Sequence, residues 1–183
     1  MRVIAGEKRH LILKTLDSLD IRPTTDKIKE TLFNMIQFDI AGKNFLDLFA
    51  GSGAIGIEAL SRGANKAVFV DNNIEAIKVI KENLAHTKLL DKAEVMRLDC
   101  KTAIGRLKGE KFSLVFLDPP YNTGLYIEVF EEIVKSDILT DDAKLILETS
   151  IAEDVNMICD MGFDITKEKK YKSNKHTFFR KKI

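Results

Sequence analysis

From Asn44 onward the chain alternates short apolar runs with stretches of helical periodicity, and few architectures accept that order. The runs fall at residues 44–49, 67–70, 93–98, 112–117 and 143–148. A strand separated from the next by a helix crosses over to lie parallel to it, and such crossovers are right-handed. Repeated, they build a mainly parallel sheet with helices on both faces. Two further strand patterns, near 163–171 and 176–182, are separated by little more than Lys172-Ser173-Asn174. At that distance two strands pair only antiparallel. The expected fold is α/β, a doubly wound, Rossmann-like sheet of seven strands with one reversed strand near the C-terminus.

The helical stretches carry their own punctuation. Asn72 or Asn73 can cap a helix that keeps Ile77, Ile80 and Leu84 on one face. A second helical pattern runs to Met161 and stops at Gly162, a C-terminal cap position. Thr24 or Thr25, after Pro23, can cap a helix that includes Ile28, Leu32, Met35 and Ile36. Two apolar stretches, Arg2–Ala5 and Leu11–Leu16, flank Gly6 and a basic patch. They predict an N-terminal hairpin or arm over residues 1–22 of one domain spanning 1–183.

Composition excludes several classes. No apolar run approaches the ~18 residues of a membrane span, and the N-terminus does not read as a signal peptide. The two cysteines, Cys100 and Cys159, lack metal-ligand spacing. No disulfide scaffold and no metal are expected, and a reducing, cytoplasmic setting is. The net charge of +1 conceals an asymmetry: residues 166–183 hold eight Lys/Arg against Glu168, leaving −6 on residues 1–165. A basic edge on an acidic body suits a polyanionic partner, and equally suits a solvated edge that resists aggregation.

In doubly wound sheets ligands bind beyond the carboxyl ends of the strands, so the residues that end each strand are informative. The first ends in "LDLFAGSGAIG". Gly51 and Gly53 permit a tight turn before a helix starting near Ala54, with Asp47 just before it. The second ends at Asp71, about 20 residues beyond the first glycine, where a carboxylate can accept from a ribose diol. The third ends "RLDC": Asp99 can accept from an exocyclic amine and the Cys100 N–H can donate to a ring nitrogen. Each also has a plainer role, Asp71 and Asp99 as helix caps among them. Together they mark an adenosine-containing ligand.

The fourth strand ends "LVFLDPPYNTG". Two prolines end the ladder and fix φ. Asp118 and a freed proline carbonyl (Pro119 or Pro120) can accept both hydrogens of a planar exocyclic amine and aim its lone pair. Tyr121 offers a face for a flat base. This is the chemistry of methyl transfer to a nucleobase amine. Asn122 begins either a lip over that base or a turn into the next helix.

The stretches "RVIAGEKR", "IRPTTDKIKETLFNMI", "FLDLFAGSGAIGIEALSRGA", "FVDNN", "RLDC" and "FSLVFLDPPY" resemble the RsmD family of class I, S-adenosylmethionine-dependent methyltransferases; "HTFFRK" is similar to that family's last strand. The resemblance implies methylation of a guanine N2 amine in small-subunit (16S) ribosomal RNA by a monomer, with S-adenosylmethionine as cofactor. It implies Asp47, Phe49, Gly51, Gly53, Asp71, Asn72, Asp99 and Cys100 as cofactor residues. Asp118, Pro119, Pro120 and Tyr121 are implied at the reacting base. Arg2, Lys8, Arg9, Arg22, Thr24 and Asn122 are implied at the RNA. Two departures stand out: Glu7 interrupts the basic arm after "AG", and Ser113 replaces a common Asp. An adenine N6 methyltransferase on RNA or DNA shares this chemistry. A glutamine-amide methyltransferase, an NAD-dependent oxidoreductase on the Gly51–Gly56 loop and a non-catalytic RNA-binding module are further alternatives.

Overall fold

The apolar runs become the centre of one seven-stranded sheet. The computed structural model describes residues 1–16 and 25–182. Its elements are α1 (Asp26–Met35), β1 (Asn44–Leu48), α2 (Ala54–Ser61), β2 (Lys66–Asp71), α3 (Ile74–Thr87), β3 (Ala93–Arg97), α4 (Cys100–Arg106), β4 (Phe112–Leu117), α5 (Leu125–Ser136), β5 (Leu139–Ser150), β6 (Phe163–Lys170) and β7 (Asn174–Lys181). The strand order is β3-β2-β1-β4-β5-β7-β6. All pairings from β3 to β5 are parallel, and β7 runs antiparallel to both β5 and β6. The order reverses between β1 and β4, so a crevice opens where their carboxyl ends diverge.

The two faces carry two cores. On one, Leu32 and Phe33 of α1, Ile57 and Leu60 of α2 and Ile80 and Leu84 of α3 pack on Phe45, Phe69, Ile146 and Phe178. On the other, Ala103 and Ile104 of α4 and Val129, Phe130 and Ile133 of α5 pack on Leu46, Val115, Leu145 and Phe179. Alternation along each strand separates these sets. Among the described residues no helix is long and apolar enough to cross a membrane.

Three expectations need adjustment. The pattern ending at Met161 is a 3-10 segment, Asn156–Met161, with Gly162 left-handed at its end. β5 runs on to Ser150, leaving too little chain for a longer helix, and short links take the tighter form. Asn174 belongs to β7, not to the turn, and pairs with Ser150. Asn73, not Asn72, caps α3 by accepting from Glu75 N–H.

The N-terminal arm is a hairpin-like excursion bridged at Arg2 and Ile12, with Val3 and Leu13 in the core. A buried carboxylate holds it. Glu58, inside α2 and fully buried, accepts from the Ile4 and Ala5 amides at 2.8 and 3.0 Å and from Arg62 Nε at 2.8 Å. Lys29 Nζ of α1 lies 3.3 Å from Glu58 and donates to the Arg2 carbonyl at 2.6 Å. Burial lowers the Lys29 pKa, and the Glu58 charge opposes that shift. Neither charge reaches water, so each depends on the other. Glu58→Gln is expected to cost about 3–5 kcal/mol of unfolding free energy, because it strands a buried ammonium. The double change Lys29→Met, Glu58→Leu is expected to remain destabilised, since the two arm amides lose their acceptor. Urea denaturation of both variants at neutral pH checks this.

Candidate active site

The carboxyl ends of β1, β2, β4 and β5 surround a cavity of about 970 Å³, within the size range of small-molecule sites. Its wall includes Asp26, Asp47, Asp71, Asp118 and Glu148, and among the described residues no lysine, arginine or histidine. A concave surface of carboxyl groups suits a cation, beside which they ionise more readily.

Asp47 lies inside β1, almost fully buried, and its Oδ2 accepts from the Gly56 N–H at 2.9 Å. The residue before α2, in the capping position, is Gly53, which has no side chain to cap with. Asp47 therefore does that work from the neighbouring strand and sits at the positive end of the helix. Burial pushes its carboxyl up to about 8; the Gly56 amide opposes the shift and the Asp71 charge adds to it. Gly56 needs to be glycine for packing. A Cβ there would stand 2.3 Å from the Phe69 ring, so the third glycine of the loop serves helix–strand contact.

The loop itself is held open. Phe49 has φ 63, a conformation that costs a bulky residue ~1–3 kcal/mol and concentrates at functional sites. The Gly51 N–H donates to Asp71 Oδ2 at 2.9 Å, and Asn73 N–H to Asp71 Oδ1 at 2.9 Å. Asp71 thus fixes the glycine loop to the end of β2, with further lone pairs on both oxygens.

Across the cavity stands the proline corner. Asp118 ends β4; its carboxyl is pushed well above the carboxylate range by burial, then by the charges of Glu148 and Asp47. The Pro120 carbonyl accepts from the Thr123 hydroxyl at 2.8 Å. The Pro119 carbonyl has no donor among the described residues, so it is the acceptor left for a ligand. Tyr121 presents its ring to the cavity and donates its hydroxyl to Glu148 Oε1 at 2.8 Å.

Glu148 was not legible as a site residue. It reads as one acid within "LILETS", near the end of β5. It lines the cavity and also accepts from Asn174 Nδ2 at 2.7 Å and His176 Nε2 at 2.8 Å, both on reversed strand β7. His176 Nδ1 lies 3.1 Å from the Tyr171 hydroxyl. Burial alone would push the Glu148 carboxyl up; the bond and charge of His176, with Tyr121 and Asn174, hold it below its ordinary value. An acid directly after the apolar run Leu145–Leu147, at the carboxyl end of its strand, was the available signal.

The expected residues divide into groups. Asp47, Phe49, Gly51, Asp71, Asn72, Asp118, Pro119, Pro120 and Tyr121 all line the cavity. Gly53 stands just outside its wall as the first residue of the α2 turn. Asp99 and Cys100 do not line it. The Asp99 carboxylate accepts from the Thr102 hydroxyl and amide and caps α4, while the Cys100 thiol is buried behind Phe49 and pushed up to about 12 by that burial. Arg2 pairs with Asp26 at 3.0 Å. Lys8 and Arg9 lie beside Ser61, at the end of α2 remote from the cavity. Asn122 is exposed beside the corner at φ 59. Arg22 and Thr24 lie outside the described residues.

A family model described as conserved hypothetical protein 95 matches residues 1–180. The putative rRNA methyltransferase YlbH of Bacillus subtilis is 43% identical over 150 residues, covering 81% of this chain and 82% of the relative. The ribosomal RNA small subunit methyltransferase D of Escherichia coli is 36% identical over 151 residues, covering 82% and 75%. A solved structure of the putative methyltransferase yhhF from E. coli superposes with a TM-score of 0.88 at 30% identity, covering 100% of this chain and 98% of that one.

Asp47 makes a pH prediction with a definite sign. In the unfolded chain its pKa is ~3.9, and in the folded protein it is about 8. The folded state therefore binds the extra proton between those values. Its stabilising contribution is complete below about pH 4 and is lost as pH rises through about 8. Asp47→Asn, which keeps an acceptor for Gly56, is expected to flatten the dependence of the urea midpoint on pH between about 5 and 8.

Proposed function

Because the chain belongs to the conserved hypothetical protein 95 family, that of the ribosomal RNA small subunit methyltransferases D, we propose that it methylates the exocyclic N2 amine of a guanine in 16S rRNA, with S-adenosylmethionine as donor. The observation that carries this reading is a single acid-lined cavity. It has the Asp47–Gly51 loop and Asp71 on one wall and the Asp118–Tyr121 corner on the other.

The residues present suit the donor. S-adenosylmethionine carries an ammonium and a sulfonium, and the cavity wall offers five carboxyl groups and, among the described residues, no side-chain cation. Asp47, Phe49, Gly51, Asp71 and Asn72 would hold it, with Asp71 available to a ribose diol. Bound there, it supplies an electrophilic methyl carbon on a cationic sulfur.

The protein's own part is orientation and electrostatics. An exocyclic amine is a weak nucleophile because its lone pair is delocalised into the ring. Asp118 and the Pro119 carbonyl accept its two hydrogens and turn that lone pair toward the donor side. Tyr121 stacks on the base, and its bond to Glu148 fixes the angle of the ring. With a cation alongside, the raised Asp118 carboxyl ionises more readily, and it can take the amine proton late in the reaction. The base reaches the cavity by leaving its stack. Acceptors dominate this wall, in Asp118, Pro119 and Glu148. Guanine suits such a wall, because both its N1–H and its amine donate; the adenine N1 does not donate.

The test is incubation with labelled S-adenosylmethionine and naked 16S rRNA, small subunits or DNA, followed by mass spectrometry of the nucleosides. N2-methylguanosine is expected, and N6-methyladenosine would overturn the substrate assignment. Asp118→Ala is expected to lower kcat by about 10²–10³-fold while leaving the cofactor Kd nearly unchanged. Near-normal turnover in that variant would remove Asp118 from the mechanism.

A further inference from the structure

Two of the arm cations expected at the RNA already have acidic partners, Arg2 with Asp26 and Lys8 with Glu7 at 2.6 Å, which leaves Arg9 exposed and unpaired among the described residues. The C-terminal strands differ. Residues opposite one another across a ladder share a sheet face. Lys144 of β5 lies opposite Arg180 of β7, and Lys167 and Lys169 of β6 lie opposite Phe178 and His176. Phe178 packs into the α1–α3 core, so these four cations share the face that carries α1 and Glu148. Lys167, Lys169 and Arg180 are exposed and have no acidic partner among the described residues; Lys144 is bonded to Asp39.

A groove of about 290 Å³ runs between the end of α1 and these strands, lined by Met35, Ile36, Lys144, Lys167, Phe178 and Arg180 among others. Phe38, 94% exposed, comes two residues after Ile36 of its lining and directly before the Asp39 that holds Lys144. Free cations beside an unburied aromatic ring are the two components of single-stranded nucleic-acid binding: phosphate contact and base stacking. The four residue steps from Lys144 to Glu148 along β5 span ~13 Å, so the groove leads up to the cavity. Lys167 lies level with Ile146, midway, and Lys169 level with Glu148, opposite the histidine that bonds to it.

We propose that this groove docks the RNA strand flanking the target base, with Lys167, Lys169 and Arg180 on its phosphates and Phe38 stacked on an unpaired nucleotide. The inference rests on the RNA-methyltransferase reading above and deepens it. It assigns backbone contact to the open β5–β7–β6 face and not to the N-terminal arm.

Binding of naked 16S rRNA and of the small subunit, measured across a salt series, tests it separately from methylation. Wild type is compared with Phe38→Ala, with the triple variant Lys167→Gln, Lys169→Gln, Arg180→Gln, and with Lys8→Gln, Arg9→Gln. All substituted side chains but Lys8 are exposed, and thermal melts verify folding. The triple variant is expected to weaken RNA binding at least about tenfold and to make the slope of log K against log salt shallower by about 2, at ~0.7 per single-strand phosphate. Phe38→Ala is expected to weaken binding about tenfold with an unchanged slope. Both should leave kcat and the cofactor Kd near wild type, and the arm variant should bind like wild type. Wild-type affinity and slope in the triple variant would overturn the proposal. So would losses confined to the arm variant, or to the assembled subunit with naked RNA unaffected, which would mark a protein-docking surface. Failure of wild type to methylate any RNA would instead defeat the functional reading, while the binding series still decides the groove.

Discussion

A carboxylate that cannot reach water must be surrounded by donors, and Glu58 organises one side of the molecule by that requirement. Its donors come from the arm, from α1 and from its own helix. None is near it in sequence except Arg62. Burying the charge therefore forces three segments to converge, and the cavity follows from the convergence. Met1, Thr15 and Leu16 of the arm, with Thr25 and Asp26 at the start of α1, form part of its wall. The ion pair contributes less as energy than as geometry, since buried pairs recover little beyond their desolvation cost. Its consequence is that the sheet edge becomes a pocket.

Glu148 works the same way on the other side. It draws Asn174 and His176 of β7 toward β5 and holds Tyr121 at the corner. The reversed strand thereby acquires a purpose that topology alone does not explain. A parallel strand at that position would present different side chains to β5. The hairpin return delivers two polar donors beside the end of β4. Two buried acids thus stitch peripheral segments to opposite sides of one cavity.

The fold was legible because periodicity and strand-ending residues are local signals. Alternating runs marked β1 to β5, and Asp71, Asp118 and the glycine loop stood where the edge of a parallel sheet must lie. What escaped was long-range. Glu58 looks like an ordinary helix residue, and nothing near it announces that Ile4 and Ala5 will donate to it. Glu148 looks like a strand-end polar residue until β7 folds back against it. Asp99 holds two roles that sequence cannot separate: it caps α4 by accepting from the Thr102 amide and hydroxyl and, like Asp71, keeps further lone pairs. Lys8 and Arg9, implied at the RNA by the family resemblance, stand at the end of α2 away from the cavity, a placement that their spacing in sequence does not give.

The near-zero net charge now has a structural reason. The acids of the cavity wall and the cations of the β5–β7–β6 face are separate fields that cancel only in the sum. The cavity wall is built of carboxyl groups with no side-chain cation among the described residues, so it offers a polyanionic strand no phosphate partner. Such a strand can be held on the basic face instead, with only a neutral base turned into the cavity. The same acids that offer the backbone no partner favour a cationic donor at the glycine loop. Separation of the two fields therefore sorts ligands by charge: backbone to the groove, donor to the loop, and the base between them at the Asp118–Tyr121 corner.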